Sequence, residues 1–91
     1  MTSRNSAAWY VYILCCNDGS LYTGITTNLY RRLQEHNFGP KGAKYTRARR
    51  PVYLVYKEAA ISRSAAAKRE YQLKRLSTAQ KKALVKTAAS E

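Results

Sequence analysis

"WYVYILCCNDGSLYTGI" (Trp9–Ile25) consists of two aromatic, β-branched runs separated by a cluster of turn residues. Such residues suit a pleated, half-buried surface. Trp9–Cys16 therefore reads as a strand and Leu21–Ile25 as its returning partner, with Asp18-Gly19 as the turn signal. The loop length decides the register, and a shift of one residue sends every side chain to the other face. A two-residue Asp-Gly turn pairs Tyr22 with Cys15 and puts Tyr12 and Tyr22 on opposite faces. A three-residue loop, or a bulge at Gly24, puts them together. At the level of sequence both stay open.

Outward from the hairpin, Asn28 is placed to cap a helix running to about His36 or Asn37. "FGPKGAKYTRARRP" (Phe38–Pro51) then breaks regular structure with Gly39, Pro40, Gly42 and Pro51. It carries Lys41, Lys44, Arg47, Arg49 and Arg50 with no acidic residue among them. "VYLVYKE" (Val52–Glu58) reads as a third strand, and Ser62 or Ser64 opens a helix through about Leu76. Ser77 and Gln80 form a capping box for a last helix, Thr78 to about Ala88. The predicted fold is α+β: a small three-stranded antiparallel sheet flanked by helices, in the order β-β-α-β-α-α. It forms a single domain over 1–91 with a core of about 8–88.

Helical spacing separates the two adjacent arginines of "LYRRLQEH" (Leu29–His36). At about 100° per residue, Leu29, Leu33 and His36 fall within roughly 60° of one another. Arg32 lies at the edge of that group, one turn below His36, whereas Arg31 projects to the solvated side. On the later helix Ala66, Glu70 and Leu73 share one face, which aims Glu70 at or beside the sheet. A carboxylate turned inward without a partner is costly, so Glu70 is expected to hold a cation. The alternatives are an ion pair with Arg32, an i,i+4 pair with Lys74, or a metal ion. Tyrosine occurs eight times, mostly in the predicted strands, where packing is its ordinary role. Tyr12 and Tyr22 stand out because, on one face, their hydroxyls join Arg32, His36 and Glu70 in one polar cluster.

Composition narrows the partner. Seventeen Lys and Arg against five Asp and Glu give a formal net charge of +12 over 91 residues. That charge opposes compaction and points to a polyanion, nucleic acid first and an anionic membrane surface second. A basic membrane-adsorbing helix fits less well, because the last helix has few large apolar residues beyond Leu84 and Val85. Cys15 and Cys16 are adjacent and lie in an apolar run, and with one histidine no zinc-like spacing exists. They read as core residues of a reduced, cytosolic protein. "MTSRNSAAW" (Met1–Trp9) lacks the apolar run of a signal peptide, and no segment is long enough to span a membrane.

Taken as a set, these residues resemble the GIY-YIG nuclease domain in its small stand-alone form. Tyr10-Val11-Tyr12 matches the first half of its motif and Tyr22-Thr23-Gly24 the second. Tyr10 replaces the family's first glycine and Thr23 the isoleucine of the second half. The resemblance puts the family's arginine on Arg32, its histidine on His36 and its metal-binding glutamate on Glu70. It implies hydrolysis of DNA phosphodiester bonds with one divalent ion, Mg²⁺ or Mn²⁺, held by Glu70. It further implies that Arg32 holds the scissile phosphate and that Tyr22 positions or activates water. Tyr12 would orient water or phosphate, with His36 relaying a proton or hydrogen-bonding Tyr12. A tyrosine of ordinary pKa, about 10, is a poor base at neutral pH and needs help from the arginine and the metal.

The backbone-contacting residues are expected to be Lys41, Lys44, Arg47, Arg49, Arg50 and Lys74. The expected protein is a cytoplasmic, structure-selective or weakly sequence-specific endonuclease, in DNA repair or recombination, with a monomer favoured. The competing reading is a nucleic-acid-binding module of the same fold with weak or absent chemistry.

Overall fold

The turn after the first strand is closed by Gly19, whose φ of +85° is the left-handed conformation that glycine adopts without strain. Gly19 N–H donates to the Cys16 carbonyl at 2.9 Å, and Cys16 N–H donates to the Ser20 carbonyl at 2.8 Å. The Asp18 carboxylate accepts from the Ser20 amide at 3.0 Å and from its hydroxyl at 2.6 Å. These contacts make Asn17-Asp18-Gly19 a three-residue loop, one of the alternatives open in the sequence. In this computed structural model, which describes residues 8–89, β1 (Trp9–Cys15) and β2 (Leu21–Thr26) pair antiparallel with Tyr12 opposite Gly24 and Leu14 opposite Tyr22. Tyr12 and Tyr22 therefore share a face.

β3 (Tyr53–Ala60) pairs antiparallel with the other edge of β1, giving the order β2-β1-β3. A bulge lies between Ile13, opposite Tyr56, and Leu14, opposite Leu54. It lets Leu54 join Tyr12 and Leu14 on one face while Val55 and Tyr56 join Val11 and Ile13 on the other. The first face, with Val52 and Cys16, is covered by Leu29 and Leu33 of α1 (Leu29–Phe38). The second packs against Ala66 and Leu73 of α3 (Arg63–Lys74), both fully buried, and against Leu84 and Val85 of α4 (Thr78–Ala89). The sheet is thus covered on both sides, and the predicted α+β order β-β-α-β-α-α holds.

The predicted helix starts are present as hydrogen bonds. The Asn28 side chain accepts from the Arg31 amide at 2.9 Å, and the Ser62 hydroxyl accepts from the Ala65 amide at 3.0 Å. The capping box is reciprocal: Ser77 N–H donates to the Gln80 side chain at 2.8 Å, and Gln80 N–H to the Ser77 hydroxyl at 3.1 Å. Two boundaries differ from expectation by two residues. β3 runs on to Ala60, and α3 ends at Lys74. The Phe38–Pro51 segment, expected to be irregular, contains one helical turn, α2 (Lys44–Arg47).

Candidate active site

Tyr12 lies across β2 with its ring over Gly24. A Cβ at Gly24 would come within 2.5 Å of the Tyr12 hydroxyl oxygen and 2.7 Å of Cζ, so no larger residue fits there without moving the ring. Thus held, the Tyr12 hydroxyl meets Nε2 of His36 at 2.8 Å, and Nδ1 of His36 meets the Thr46 hydroxyl at 2.8 Å. His36 and Thr46 are both fully buried. Gly42 brings the loop close enough for this contact, since a Cβ there would lie 2.6 Å from the Glu35 carbonyl oxygen.

Tyr22 packs edge-on to the His36 ring at 5.2 Å between centroids and stacks on Tyr45 at 5.9 Å. Arg49 in turn lies over the Tyr45 ring at 3.9 Å and is tied to Asp18 at 3.0 Å, which links the hairpin loop to α2. Among the described residues the Tyr22 hydroxyl makes no hydrogen bond, which leaves it available to a ligand.

The two arginines divide as helical spacing predicts. The Arg31 side chain is 63% exposed and that of Arg32 is 26% exposed. Arg32 Nη1 donates to the Glu35 carboxylate at 2.9 Å and to the Lys41 carbonyl at 2.9 Å. These bonds fix the guanidinium beside Tyr12 and leave its other donors for a ligand. The charge-assisted bond from Arg32 holds the Glu35 carboxyl below the usual carboxylate range.

Burial sets the protonation of the buried pair. It pushes the Tyr12 hydroxyl up to about 12, against the downward pull of Arg32, while the charges of Tyr22 and Glu70 add to the rise. Burial also pushes His36 down to about 4, assisted by the charges of Arg32 and Arg50 and opposed by Glu35. At neutral pH Tyr12 keeps its proton and His36 is uncharged. Because the folded His36 pKa lies below the unfolded value, acidification favours the unfolded chain. Stability from this group is fully present above about pH 6.5 and is lost towards pH 4, by up to about 3 kcal/mol. His36 is the only histidine, so denaturant unfolding between pH 7 and 5 reads it with little interference. A His36→Gln variant is expected to lose that slope.

Glu70 is carried by α3, which packs on the Val11 and Ile13 face, whereas α1 covers the Tyr12 and Leu14 face. The Glu70 charge reaches Tyr12, but it does not join the Tyr12–His36–Thr46 hydrogen bonds. Glu70 thus lies outside that hydrogen-bonded chain but within electrostatic reach of its Tyr12 end. Of the two ion-pair partners weighed for Glu70, Lys74 is the one found, at 3.3 Å, while Arg32 takes Glu35. Among the described residues no three His, Cys, Asp or Glu side chains converge to form a metal cage. One hard carboxylate, 24% exposed, nevertheless fits Mg²⁺ or Mn²⁺ bound mainly through water and substrate phosphate.

The basic loop divides by role in a way its composition does not reveal. Lys41 and Lys44 project outward, as does Arg47, which makes a long bond to the Pro40 carbonyl at 3.4 Å. Arg50 donates from Nε to the His36 carbonyl at 2.6 Å and from Nη2 to the Gly39 carbonyl at 2.6 Å, satisfying the carbonyls at the end of α1. Arg49 is held by Asp18 and the Tyr45 carbonyl. Arg49, Arg50 and Lys74, also expected to bind nucleic acid, thus already hold partners within the chain. Glu35, Tyr45 and Thr46 were not singled out in the sequence. Glu35 had a readable signal, three and four residues after the arginines. Thr46, a polar residue in a charged loop, had none.

Comparison with known proteins agrees with this geometry. The family model described as the GIY-YIG catalytic domain matches residues 8–83. The chain is 60% identical over 81 residues to a UPF0213 protein of Desulfotalea psychrophila, covering 89% of this chain and 74% of that protein. It is 57% identical over 77 residues to a UPF0213 protein of Syntrophus aciditrophicus, covering 85% and 88%. The solution NMR structure of a UPF0213 protein from Bacillus halodurans superposes with a TM-score of 0.56 at 49% identity, over 88% of this chain and 84% of that one. A solution NMR structure of a protein from E. faecalis gives 0.63 at 44% identity, over 98% and 94%. The chain belongs to the GIY-YIG catalytic-domain family, a nuclease family, and its relatives include the UPF0213 proteins. Among the described residues no helix is long and apolar enough to cross a membrane.

Proposed function

We propose that this protein is a metal-dependent endonuclease that hydrolyses DNA phosphodiester bonds with structure selectivity or weak sequence preference. The observation that carries the proposal is a Tyr22 hydroxyl without a hydrogen bond among the described residues and an oriented Arg32 guanidinium beside the buried Tyr12–His36 pair. Binding alone needs surface charge; it does not need a neutral, fully buried histidine holding a tyrosine.

In this mechanism Arg32 binds the scissile phosphate with donors not engaged by Glu35 and Lys41, and it retains its charge throughout. Tyr22 positions the attacking water and, in its ionised form, accepts a proton from it. The water oxygen bonds to phosphorus as the bond from phosphorus to the 3′-oxygen breaks, and the leaving oxygen departs with the electron pair. Glu70 would hold Mg²⁺ or Mn²⁺, which when bound supplies Lewis-acid stabilisation of the leaving oxygen. Tyr12 stays protonated, donates to His36 and offers its oxygen lone pairs to the attacking water. Of the two roles considered for His36, the lowered pKa supports a hydrogen-bond acceptor for Tyr12 over a proton carrier.

Nicking of supercoiled plasmid in the presence of Mg²⁺ or Mn²⁺, and its loss with chelator, tests the reaction class. Binding tests the surface. Replacing Lys41, Lys44 and Arg47 together with alanine is expected to weaken affinity for all duplexes alike. It should also reduce the slope of log affinity against log salt by about two to three. A strong preference for one base sequence, or affinity independent of salt, would contradict backbone-directed binding.

A further inference from the structure

We infer that Thr46 is a positioning residue for Tyr12. Its hydroxyl fixes the tautomer of His36 and, through it, the direction of the Tyr12 proton. The Thr46 Oγ1 lies 2.9 Å from the Ala43 carbonyl oxygen, which can only accept. The Thr46 proton must point there, because the reverse orientation brings oxygen lone pairs together at hydrogen-bond distance. With its proton committed, Oγ1 is an acceptor toward His36, so Nδ1, 2.8 Å away, carries a hydrogen and donates it. A neutral imidazole has one N–H, so Nε2 is bare and accepts from the Tyr12 hydroxyl at 2.8 Å.

The other end of the chain selects the same order. Arg32 can only donate, and its guanidinium is close enough to act on the Tyr12 hydroxyl. If Nε2 carried the hydrogen, the Tyr12 proton would be turned toward that cation. Tyr12 donating to His36 instead leaves its oxygen lone pairs toward Arg32 and the site. The Ala43 carbonyl, the Thr46 hydroxyl, the His36 ring and the Tyr12 hydroxyl thus form one directed chain, anchored at a backbone atom of the loop. That loop's position is held in turn by Gly42 against α1 and by Arg50 on the carbonyls of His36 and Gly39.

The kinetic consequence rests on the nuclease reading; the tautomer does not. Because the chain has one histidine, uniformly ¹⁵N-labelled protein gives a single imidazole in long-range ¹H–¹⁵N correlation spectra. Wild type is expected to show a protonated Nδ1 and a bare Nε2. Thr46→Val, which preserves shape and removes the hydroxyl, should shift the ring to the other tautomer or to a mixture. It should also lower kcat by on the order of tenfold or more with KM little changed. Thr46→Ser should restore both spectrum and kcat. A wild-type ring protonated at Nε2 overturns the inference without any variant. So does a Thr46→Val ring that keeps Nδ1 protonated, or one that changes tautomer without a change in kcat. Absence of cleavage by wild type, with the expected tautomer and its Thr46 dependence intact, would count against the nuclease reading and leave the proton order standing.

Discussion

Arg32→Ala is expected to lower metal-dependent cleavage by about 10²–10³-fold, while duplex affinity changes little. The reason is local. Arg32 is the guanidinium held beside Tyr12, steered by Glu35 and the Lys41 carbonyl, and a donor held at developing charge acts mainly on the reaction step. Arg31→Ala removes a side chain that is 63% exposed and only 3.9 Å-paired with Glu35. Its effect on cleavage should be less than about threefold, because an exposed, screened charge contributes little. Arg32→Lys adds a control: it keeps the charge but loses the planar fork, and most of the defect should remain. Single-turnover cleavage and equilibrium binding on the three variants check this. Equal losses from Arg31 and Arg32 would contradict the division of the helix into faces.

Much of the architecture was legible because local chemistry and global packing agree. The strands are aromatic and β-branched, and the Asn28, Ser62 and Ser77 caps sit where side-chain oxygens meet free amides. The division between Arg31 and Arg32 followed from helical geometry alone. The shared face of Tyr12 and Tyr22 did not, because an Asp-Gly pair suits both a two-residue and a three-residue loop. The left-handed Gly19, together with the Cys16–Ser20 contact, decides between them.

What stayed hidden depends on contacts distant in sequence. A helix end needs partners for its carbonyls, and here Arg50 supplies them from beyond α2. Composition shows the charge of that residue but not the carbonyls that it caps. Thr46 sits in the same loop, and its importance appears only when Gly42 brings the loop against His36. Ala66 and Leu73, which share a helical face with Glu70, are buried, and the Glu70 side chain is 24% exposed. Nothing in helical periodicity says on which side of a sheet a helix lies, so its separation from α1 was not legible.

Glu70→Gln is expected to abolish metal-dependent cleavage. The Glu70–Lys74 pair changes what stability can reveal. The Lys74 side chain is 53% exposed, so losing its partner should alter unfolding only slightly whether or not Glu70 binds metal. The ligand role is distinguished by chemistry instead. A glutamine keeps the size of the side chain and one carbonyl oxygen but removes the charge that holds a hard divalent cation. Since a lone carboxylate binds metal weakly until phosphate completes the shell, the decisive observation is made with DNA present. The measurement is plasmid cleavage by wild type and Glu70→Gln across a Mn²⁺ titration, at protein concentrations where both bind DNA equally. Wild type is expected to cleave robustly, increasingly so with Mn²⁺, and Glu70→Gln not at all at any Mn²⁺ concentration. Undiminished, metal-dependent cleavage by Glu70→Gln would contradict a ligand role for Glu70.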